Sequence, residues 1–497
     1  MTYSRSICVF RALTAGTALL FSCLSLRAQS SGSFSPLSNS ISTPRPFDPG
    51  SNTTNPSALA VQAQNPYLGS VPAKPLVPGV MDLSLRDATS LALRANLGLV
   101  DSEQDHAQSR ALRMRALSTL LPHLSIDATQ AVQNFPLTLF GAQKLGLPKM
   151  VPISSYQSAN INYSQDLFDM AAIHEVKAAG DEERVSAASL ADSRNIVVLA
   201  ATSAYLEVVA SQSRVTAAQA ELDSAAALDV LVEDRVRREV SPEIDQIRAH
   251  VAHQTAEQRL ILVKVRLERD KLALTRIIGL QPEQELYLTD AITFLAPPVT
   301  SVDDLVAEAE EERSDLKAAG ARVATANQQL SARDAERLPV VDVQAHFGGT
   351  GVNTGSFYGD YGVAGRVSVP IFTGRKIESD ILAAQAVLKR RQAEFQDLKA
   401  RTKYDVRSAY LDLEAASKSV EVSQGNLSLA NEGLKQSKDR FDAGVANSLE
   451  LIEAQQAVAD ATDNNIASIY SHNLAKLMLI RATGTAEQNY AEYLGVK

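Results

Sequence analysis

The sequence predicts a mainly α-helical protein with a small β part, in which one structural unit occurs twice. Ala, Leu, Gln, Ser and Glu dominate the chain after residue 80, aromatic residues make up only 5% of the 497 residues and Trp is absent, a composition typical of long helices. The same residue pattern returns after 205 residues, which indicates an internal duplication. Short alternating segments, two in each copy, indicate four β-strands.

The N-terminus has the features of an export signal. Arg5 and Arg11 precede a short apolar run that ends in small residues, so residues 1–28 are predicted to be a secretory signal peptide. Both cysteines of the chain lie inside this segment, and ordinary cleavage would remove them. An alternative is that Cys23 is lipidated and becomes the mature N-terminus, although Phe21 is bulky for a lipoprotein signal.

The segment that follows is predicted to be a linker. Residues 29–80 are rich in Pro, Ser and Asn and carry few charges, so they are expected to be extended and outside the core. No apolar stretch of about 18 or more residues is evident elsewhere that would span a membrane as a helix. A place in the membrane would therefore require β-structure.

The two copies occupy residues 81–290 and 291–485, and a short tail follows at 486–497. The motif Ser203–Glu207 (SAYLE) returns as Ser408–Asp412 (SAYLD), 205 residues later. Each copy is predicted to contain a helix, two strands, a long helix, a turn and a shorter helix. At about 1.5 Å per residue, two short helices stacked end to end match the length of one long helix.

In the first copy, Ser84 and Asp87 form a capping box that begins a helix, and Pro122 ends it. The predicted helices of this copy are Leu83–Leu120, Asp169–Arg238 and the segment from Pro242 to Ile278, and the strands are Leu124–Gln133 and Tyr156–Leu167.

In the second copy, the predicted helices are Val302–Arg337, Lys376–Asp442 and Ser448–Thr483, and the strands are Val340–Phe347 and Tyr361–Phe372. The long helix carries large apolar residues every seven positions, with small residues three positions later. This pattern favours closely approaching helices in a coiled-coil wall. An ordinary antiparallel coiled coil would explain the heptads equally well, but it would not explain the strands or the duplication.

Four strands also constrain the assembly. An open sheet of four strands has two unpaired edges and cannot cross a lipid layer, where every backbone donor needs a partner. Since membrane barrels have about eight strands or more, several chains are expected to pool their strands.

Other functions are not supported by the residues present. The net charge of −9 disfavours a partner held through nucleic-acid phosphates. No GxSxG, P-loop, HExxH or CxxC motif is present, so neither an enzyme nor a cofactor is predicted. His250 and His253 are three positions apart on a helix and could chelate a metal, but no acidic neighbour is evident. We therefore interpret them as surface residues and predict no metal.

These features together resemble the TolC-like outer membrane efflux proteins of Gram-negative bacteria. The segments that carry the likeness are Leu83–Asn96, Leu121–Pro122, Leu338–Pro339, Val369–Gly374 and Arg440–Ala454. The resemblance implies a homotrimer in which a twelve-stranded transmembrane β-barrel crosses the outer membrane and a long α-helical coiled-coil barrel descends into the periplasm. It also implies two partners, a periplasmic adaptor (membrane fusion) protein and an inner membrane pump.

The function implied by the resemblance is a passive outer membrane channel for the efflux of small molecules. Two related functions remain open, type I protein secretion and polysaccharide export. A periplasmic coiled-coil structural or adaptor protein is the alternative from another class, and it would explain the helices alone.

The resemblance further implies a gate at the periplasmic end. Glu450 and Glu453 stand where acidic residues of the family line the constricted entrance, and Asp245 stands where a residue helps to hold the helices shut. In a trimer, Glu450 and Glu453 would form two carboxylate rings that attract cations.

Two departures from the family concern this gate. Phe441 stands where a tyrosine often serves as a hydrogen-bond partner, so closure is expected to depend on Arg440, Arg248 or apolar packing. The first turn, Arg238–Pro242, lacks the usual glycine, which leaves the docking of a partner at this turn undetermined.

Overall fold

The computed structural model describes residues 65–72, 78–135, 151–290, 294–296, 301–351 and 356–495. The predicted signal peptide, Cys23 and the larger part of the predicted linker lie outside the described residues.

The first copy contains a short strand, a helix with one break, two long strands and a helical hairpin. Its elements are β1 (Met81–Leu83), α1 (Leu85–Ala95), α2 (Leu97–Ser118), β2 (His123–Phe135), β3 (Val151–Phe168), α3 (Met170–Arg237), α4 (Glu243–Ile278) and β4 (Leu286–Leu288). β1 and β4 form a small parallel sheet that the sequence did not predict, with Leu83 and Leu288 paired in register and both buried in the core.

The second copy has its helices and long strands in the same order as the first copy. Its elements are α5 (Val302–Glu312), α6 (Ser314–Ala335), β5 (Val340–Gly351), β6 (Phe357–Ser368), α7 (Lys376–Asp442), α8 (Ser448–Thr483) and α9 (Ala486–Leu494). α9 lies in the predicted tail. The predicted strand Tyr361–Phe372 is shifted by four residues, because Pro370 has no backbone N–H to donate to the sheet.

The single helix predicted at the start of each copy is wrong, since each is broken once. The first break is Asn96, whose backbone is extended and whose Oδ1 accepts a hydrogen bond from Gly98 N at 3.0 Å, so that it caps α2. Its Nδ2 donates to the carbonyl of Tyr67 at 2.7 Å. Tyr67 belongs to the predicted linker, yet it packs against the hydrophobic core of the first copy.

The second break is Arg313, which is 7% exposed and lies between α5 and α6. Its Nη2 pairs with Asp315 Oδ2 at 2.6 Å, and its Nη1 lies 3.3 Å from Asp405 Oδ2 on α7. Burial by itself would raise the pKa of Asp315, but the Arg313 guanidinium outweighs it and holds that pKa below its usual range. The charged cluster thus ties the break to the long helix.

Among the described residues, one helix, α3, is long and apolar enough by length and composition to span a membrane, with an 18-residue window of mean hydropathy 1.4 that is 50% buried. Inspection of the sequence did not find this stretch. Val197, Ala201, Tyr205 and Val208 of α3 are fully buried in the core formed with α1 and α4. Packing within the protein therefore accounts for the apolar character.

The four long strands form one antiparallel sheet in the order β2, β3, β5, β6. Residues paired in register across the strands share a face, and successive rows alternate between the faces. The apolar rows are Leu124, Tyr163, Ala345 and Val363, and Ile126, Ile161, Phe347 and Tyr361. The polar or glycine rows are Ser125, Asn162, His346 and Gly362, and Asp127, Asn160, Gly348 and Asp360.

The apolar face of the sheet is exposed in the single chain. Ile126 is 76% exposed and Tyr361 is 80% exposed. On the opposite face, Asn162 Nδ2 donates to Asp127 Oδ2 at 2.5 Å. A water-soluble sheet would bury its apolar face and expose its polar face. The exposed apolar face of this sheet therefore requires an apolar environment outside the chain.

Replacing Arg313 with Ala is expected to destabilise the protein by about 2–3 kcal/mol, because Asp315 and Asp405 would lose their buried partner. The thermal midpoint of the detergent-extracted protein measures this change. Arg407→Ala is the matched control, since its partner Asp303 lies at 3.1 Å but is 86% exposed, and we expect less than about 0.5 kcal/mol there. Equal shifts for the two variants would contradict the role assigned to Arg313.

Candidate functional site

The two helical hairpins, α3–α4 and α7–α8, end in turns that have the same backbone hydrogen bonds. Each turn is a Schellman motif, in which two N–H groups beyond the helix satisfy its last carbonyls. The bonds are Val240 N to Arg235 O and Glu239 N to Val236 O, both 2.9 Å, and Val445 N to Arg440 O and Gly444 N to Phe441 O, both 3.0 Å. All four residues of the second set lie 205 positions after those of the first set.

Glu239 adopts the left-handed conformation that the motif demands, with φ of 60°, and its counterpart Gly444 has φ of 76°. The first turn therefore keeps the geometry of the second turn although it lacks the glycine. A residue with a Cβ atom pays about 1–2 kcal/mol in this conformation. The missing glycine of the first turn thus changes the side chain and adds conformational strain at Glu239, but the turn keeps the same backbone hydrogen bonds.

The predicted gate carboxylates lie in the first turns of the helices that follow. Asp245 and Glu450 are each the third residue of their helix, α4 and α8. Asp245 is 7% exposed, and Arg248 Nη1 lies 3.7 Å from its Oδ1. Arg440 Nε pairs with Glu450 Oε1 at 2.9 Å. Glu453, one helical turn further along α8, is exposed.

Phe441 is 2% exposed and joins the two hairpins through apolar packing. Its cluster also contains Leu228, Val232, Ala249 and Leu451. These residues come from α3, α4 and α8, so the ring fills the space where the hairpins meet. The sequence suggested three contacts for closure, namely Arg440, Arg248 and apolar packing, and the Phe441 cluster provides apolar packing.

Arg235 was not singled out in the sequence, yet it makes a polar link between the hairpins beside the turns. Its guanidinium lies 4.0 Å from the centroid of the Phe441 ring, a cation–π geometry. Its Nη1 donates to the Phe441 carbonyl at 3.1 Å, and its Nη2 lies 3.6 Å from Asp442 Oδ1. The only sequence signal was that Arg235 and Arg440 occupy equivalent positions in the two copies.

The two copies use this equivalent arginine differently. Arg440 stays within its own hairpin and pairs with Glu450, whereas Arg235 crosses to the other hairpin. Asp245, the counterpart of Glu450, pairs with Arg248 instead. The duplicated sequence has therefore produced one contact inside a hairpin and one contact between hairpins.

Further from the turns, a cavity of about 600 Å³ lies between α3, α4, α7 and α8. Arg259 of α4 borders it and pairs with Asp463 of α8 and, at 3.3 Å, with Glu221 of α3. Burial raises the pKa of Glu221, and Arg259 only partly offsets that effect. The hairpins are therefore joined by charge at this level and by the Phe441 cluster near the turns.

Comparison with known proteins supports the predicted resemblance. Residues 305–485 match the family model described as outer membrane efflux protein. The outer membrane protein TolC of Vibrio cholerae is 25% identical over 67% of this chain and 78% of its own length. The toluene efflux pump outer membrane protein TtgF of Pseudomonas putida is 22% identical over 82% of this chain and 84% of its own.

Solved structures share the fold. The CmeC outer membrane channel of Campylobacter jejuni superposes with a TM-score of 0.71 at 16% identity, over 85% of this chain and 92% of that one. The outer membrane protein VceC of Vibrio cholerae superposes with a TM-score of 0.69 at 19% identity, over 80% of this chain and 96% of that one.

Replacing Glu239 with Gly is expected to stabilise the protein by about 0.5–1 kcal/mol, because glycine relieves the left-handed strain. Thermal unfolding, or hydrogen exchange at the Val240 amide, measures the effect. Gly444→Ala is the reverse substitution in the second turn. A Cβ there meets nothing within 4 Å, so its destabilising effect comes only from the left-handed conformation. Glu239→Ala removes the side chain but keeps the strain; an equal gain from it would contradict this explanation.

Proposed function

The chain is a member of the outer membrane efflux protein family, and from this premise we propose that it is the outer membrane duct of a tripartite export system. A periplasmic adaptor and an inner membrane pump deliver small molecules to the duct, which releases them passively to the exterior. The family is one of channels and not of enzymes. The match to a toluene efflux component over 82% of this chain favours small-molecule efflux.

The observation that carries this proposal is the alternation of rows in the four-stranded sheet. Ile126 and Tyr361 belong to a row that is apolar across all four strands, while Asp127 and Asp360 belong to a row with no large apolar residue. A wall between lipid and water needs these two faces. We assign the apolar face to lipid and the polar face to the water-filled channel.

The edges of the sheet support a trimer. Within the described residues, β2 and β6 pair on one side only, so each leaves a row of backbone N–H and C=O groups without a strand partner. In lipid each such group costs several kcal/mol. In our proposal, three chains join β6 of one protomer to β2 of the next, and their strands close a twelve-stranded barrel.

The gate at the hairpin turns is the remaining part of the proposal. Glu450 and Glu453 lie at the start of α8, beside a turn where the helical channel must end. In the trimer they form carboxylate rings that attract cations. Arg440 and Phe441 hold the closed state, because Arg440 joins α7 to α8 through Glu450 and the Phe441 cluster joins the two hairpins. Asp245 supports this state as a buried carboxylate in the first turn of α4, where it pairs with Arg248 of the same helix.

The lipid assignment predicts opposite outcomes at two neighbouring positions of β2. Ile126→Lys is expected to abolish assembly in the outer membrane, because a lipid-facing Lys costs about 2–4 kcal/mol near the middle of the bilayer. Ser125→Lys is the matched control and should assemble, since it faces water. Cofractionation with outer membranes and the mass of the detergent-extracted protein, expected at three times that of one chain, report the result. Equal behaviour of the two variants, or a soluble monomer, would contradict the proposed function.

The gate assignment is tested by conductance of the purified protein in planar bilayers. Glu450→Gln combined with Glu453→Gln should reduce the preference for cations and weaken block by multivalent cations, because the negative rings are lost. Glu243→Gln is the control, since it removes an exposed carboxylate next to the other turn. Unchanged selectivity and block in the double variant would remove these residues from the gate.

A further inference from the structure

Two histidines of α4 and one aspartate of α3 converge near the first turn. Asp229 Oδ2 lies 3.0 Å from His250 Nδ1 and 3.1 Å from His253 Nδ1. All three ligand atoms lie within 4.8 Å of one another. The sequence analysis found no acidic neighbour for these histidines because Asp229 precedes them by 21 and 24 positions and approaches them only when the hairpin folds.

The donor set has the composition and spacing of a transition-metal site. Imidazole nitrogen and carboxylate oxygen are both good ligands for Zn²⁺, at about 2.0–2.2 Å. Tetrahedral ligands at that distance are separated by about 3.3 Å, close to the nitrogen–oxygen separations of 3.0 and 3.1 Å. The two nitrogen–oxygen separations therefore need to widen by only a few tenths of an ångström around an ion, and all three ligand atoms lie within 4.8 Å of one another.

Exposure of the three side chains leaves room for a fourth ligand. Asp229 is 16% exposed, His253 is 33% exposed and His250 is 59% exposed. The carboxylate is thus the most buried of the three ligands, and the imidazoles lie on the side of the cluster that faces solvent. Water can complete the coordination from solvent, as it does in sites with three protein ligands.

Neighbouring groups orient the ligands. The two imidazole rings are nearly perpendicular, at 87°, with centroids 6.4 Å apart. Gln254 Nε2 lies 3.3 Å from His250 Nε2. With its amide turned over, Gln254 would accept a hydrogen bond from the Nε2–H that an imidazole keeps when Nδ1 binds a metal.

We propose that Asp229, His250 and His253 bind a divalent transition-metal ion such as Zn²⁺. The ion joins α3 to α4 about two helical turns, or roughly 10–12 Å, from the hairpin end. It stabilises the packing of the first hairpin, whose turn carries the strained Glu239. This site is separate from the proposed gate carboxylates and does not depend on the proposed function.

The test is equilibrium dialysis of the full-length, detergent-purified protein against Zn²⁺ after removal of metals with a chelator. We expect one zinc per chain, and a rise in the thermal midpoint that depends on zinc concentration. His250→Ala with His253→Ala should lose this zinc. Asp229→Asn keeps the shape of the side chain and should weaken affinity by at least about tenfold.

His174→Ala is the matched control, since His174 also lies on a hairpin helix but hydrogen-bonds to Gln328 at 2.9 Å and belongs to no such cluster. It should bind zinc as the unmodified protein does. Co²⁺ in place of Zn²⁺ should give the intense visible absorption of tetrahedral coordination. Absence of zinc binding, or equal zinc in the double histidine variant, would overturn the proposal and leave two ordinary hydrogen bonds to Asp229. If the double variant does not fold, unchanged affinity in Asp229→Asn would overturn it equally.

Discussion

The constraint on which the architecture depends is the satisfaction of backbone hydrogen bonds at the edges of the four-stranded sheet. β2 and β6 pair on one side only within the described residues, and the rows between them expose an apolar face. In water that face would cost hydrophobic free energy, and in lipid the open edges would cost several kcal/mol per unpaired group. A single chain satisfies neither solvent. In the proposed trimer, pooled strands would satisfy lipid on one face and water on the other, so that a small β part would determine where a long helical protein resides.

The helical part follows from a second requirement, that long helices be packed along their whole length. α3 has 68 residues, about 100 Å, and α2 and α4 together have 58 residues, so both short helices are needed to cover one side of it. In each copy the helix that precedes the long strands is interrupted at one residue. Asn96 and Arg313 occupy equivalent places, yet one is held by a cap and a bond to Tyr67 and the other by two carboxylates. The duplication therefore kept the geometry of the break and not its chemistry.

The sequence predicted the features that repeat or that have a period, and it missed those that depend on contacts distant along the chain. The bounds of α7 and α8 were correct because Asp442 and Thr483 precede turn residues with a left-handed conformation at Gly444 and Gly484. The breaks at Asn96 and Arg313 were missed because their local contacts, with Gly98 and Asp315, are also compatible with an unbroken helix in the sequence. Partners distant along the chain, Tyr67 and Asp405, complete the stabilisation of the breaks. Asp229 was missed beside His250 for the same reason. In the sequence, Arg235 could be recognised only as the equivalent of Arg440. Its contact with the other hairpin depends on the position of Phe441, whose ring and carbonyl it meets.

The hairpin turns show how a duplicated sequence acquires two different contacts. Two backbone hydrogen bonds of the first turn recur 205 positions later in the second turn, so the two turns share one backbone geometry. The second copy has Phe441 where the first has Val236; both pack in the cluster between the hairpins, and the Phe441 ring also lies beneath the Arg235 guanidinium. Because Arg235 contacts the other hairpin, it does not pair with Asp245 in the way that Arg440 pairs with Glu450. Asp245 pairs with Arg248 instead, at 3.7 Å, a longer contact than the 2.9 Å between Arg440 and Glu450. The second hairpin thus has an internal ion pair, and the first is joined to the second through Arg235. In the proposed gate, separation of the hairpins at this end would therefore require Arg235 to leave Phe441.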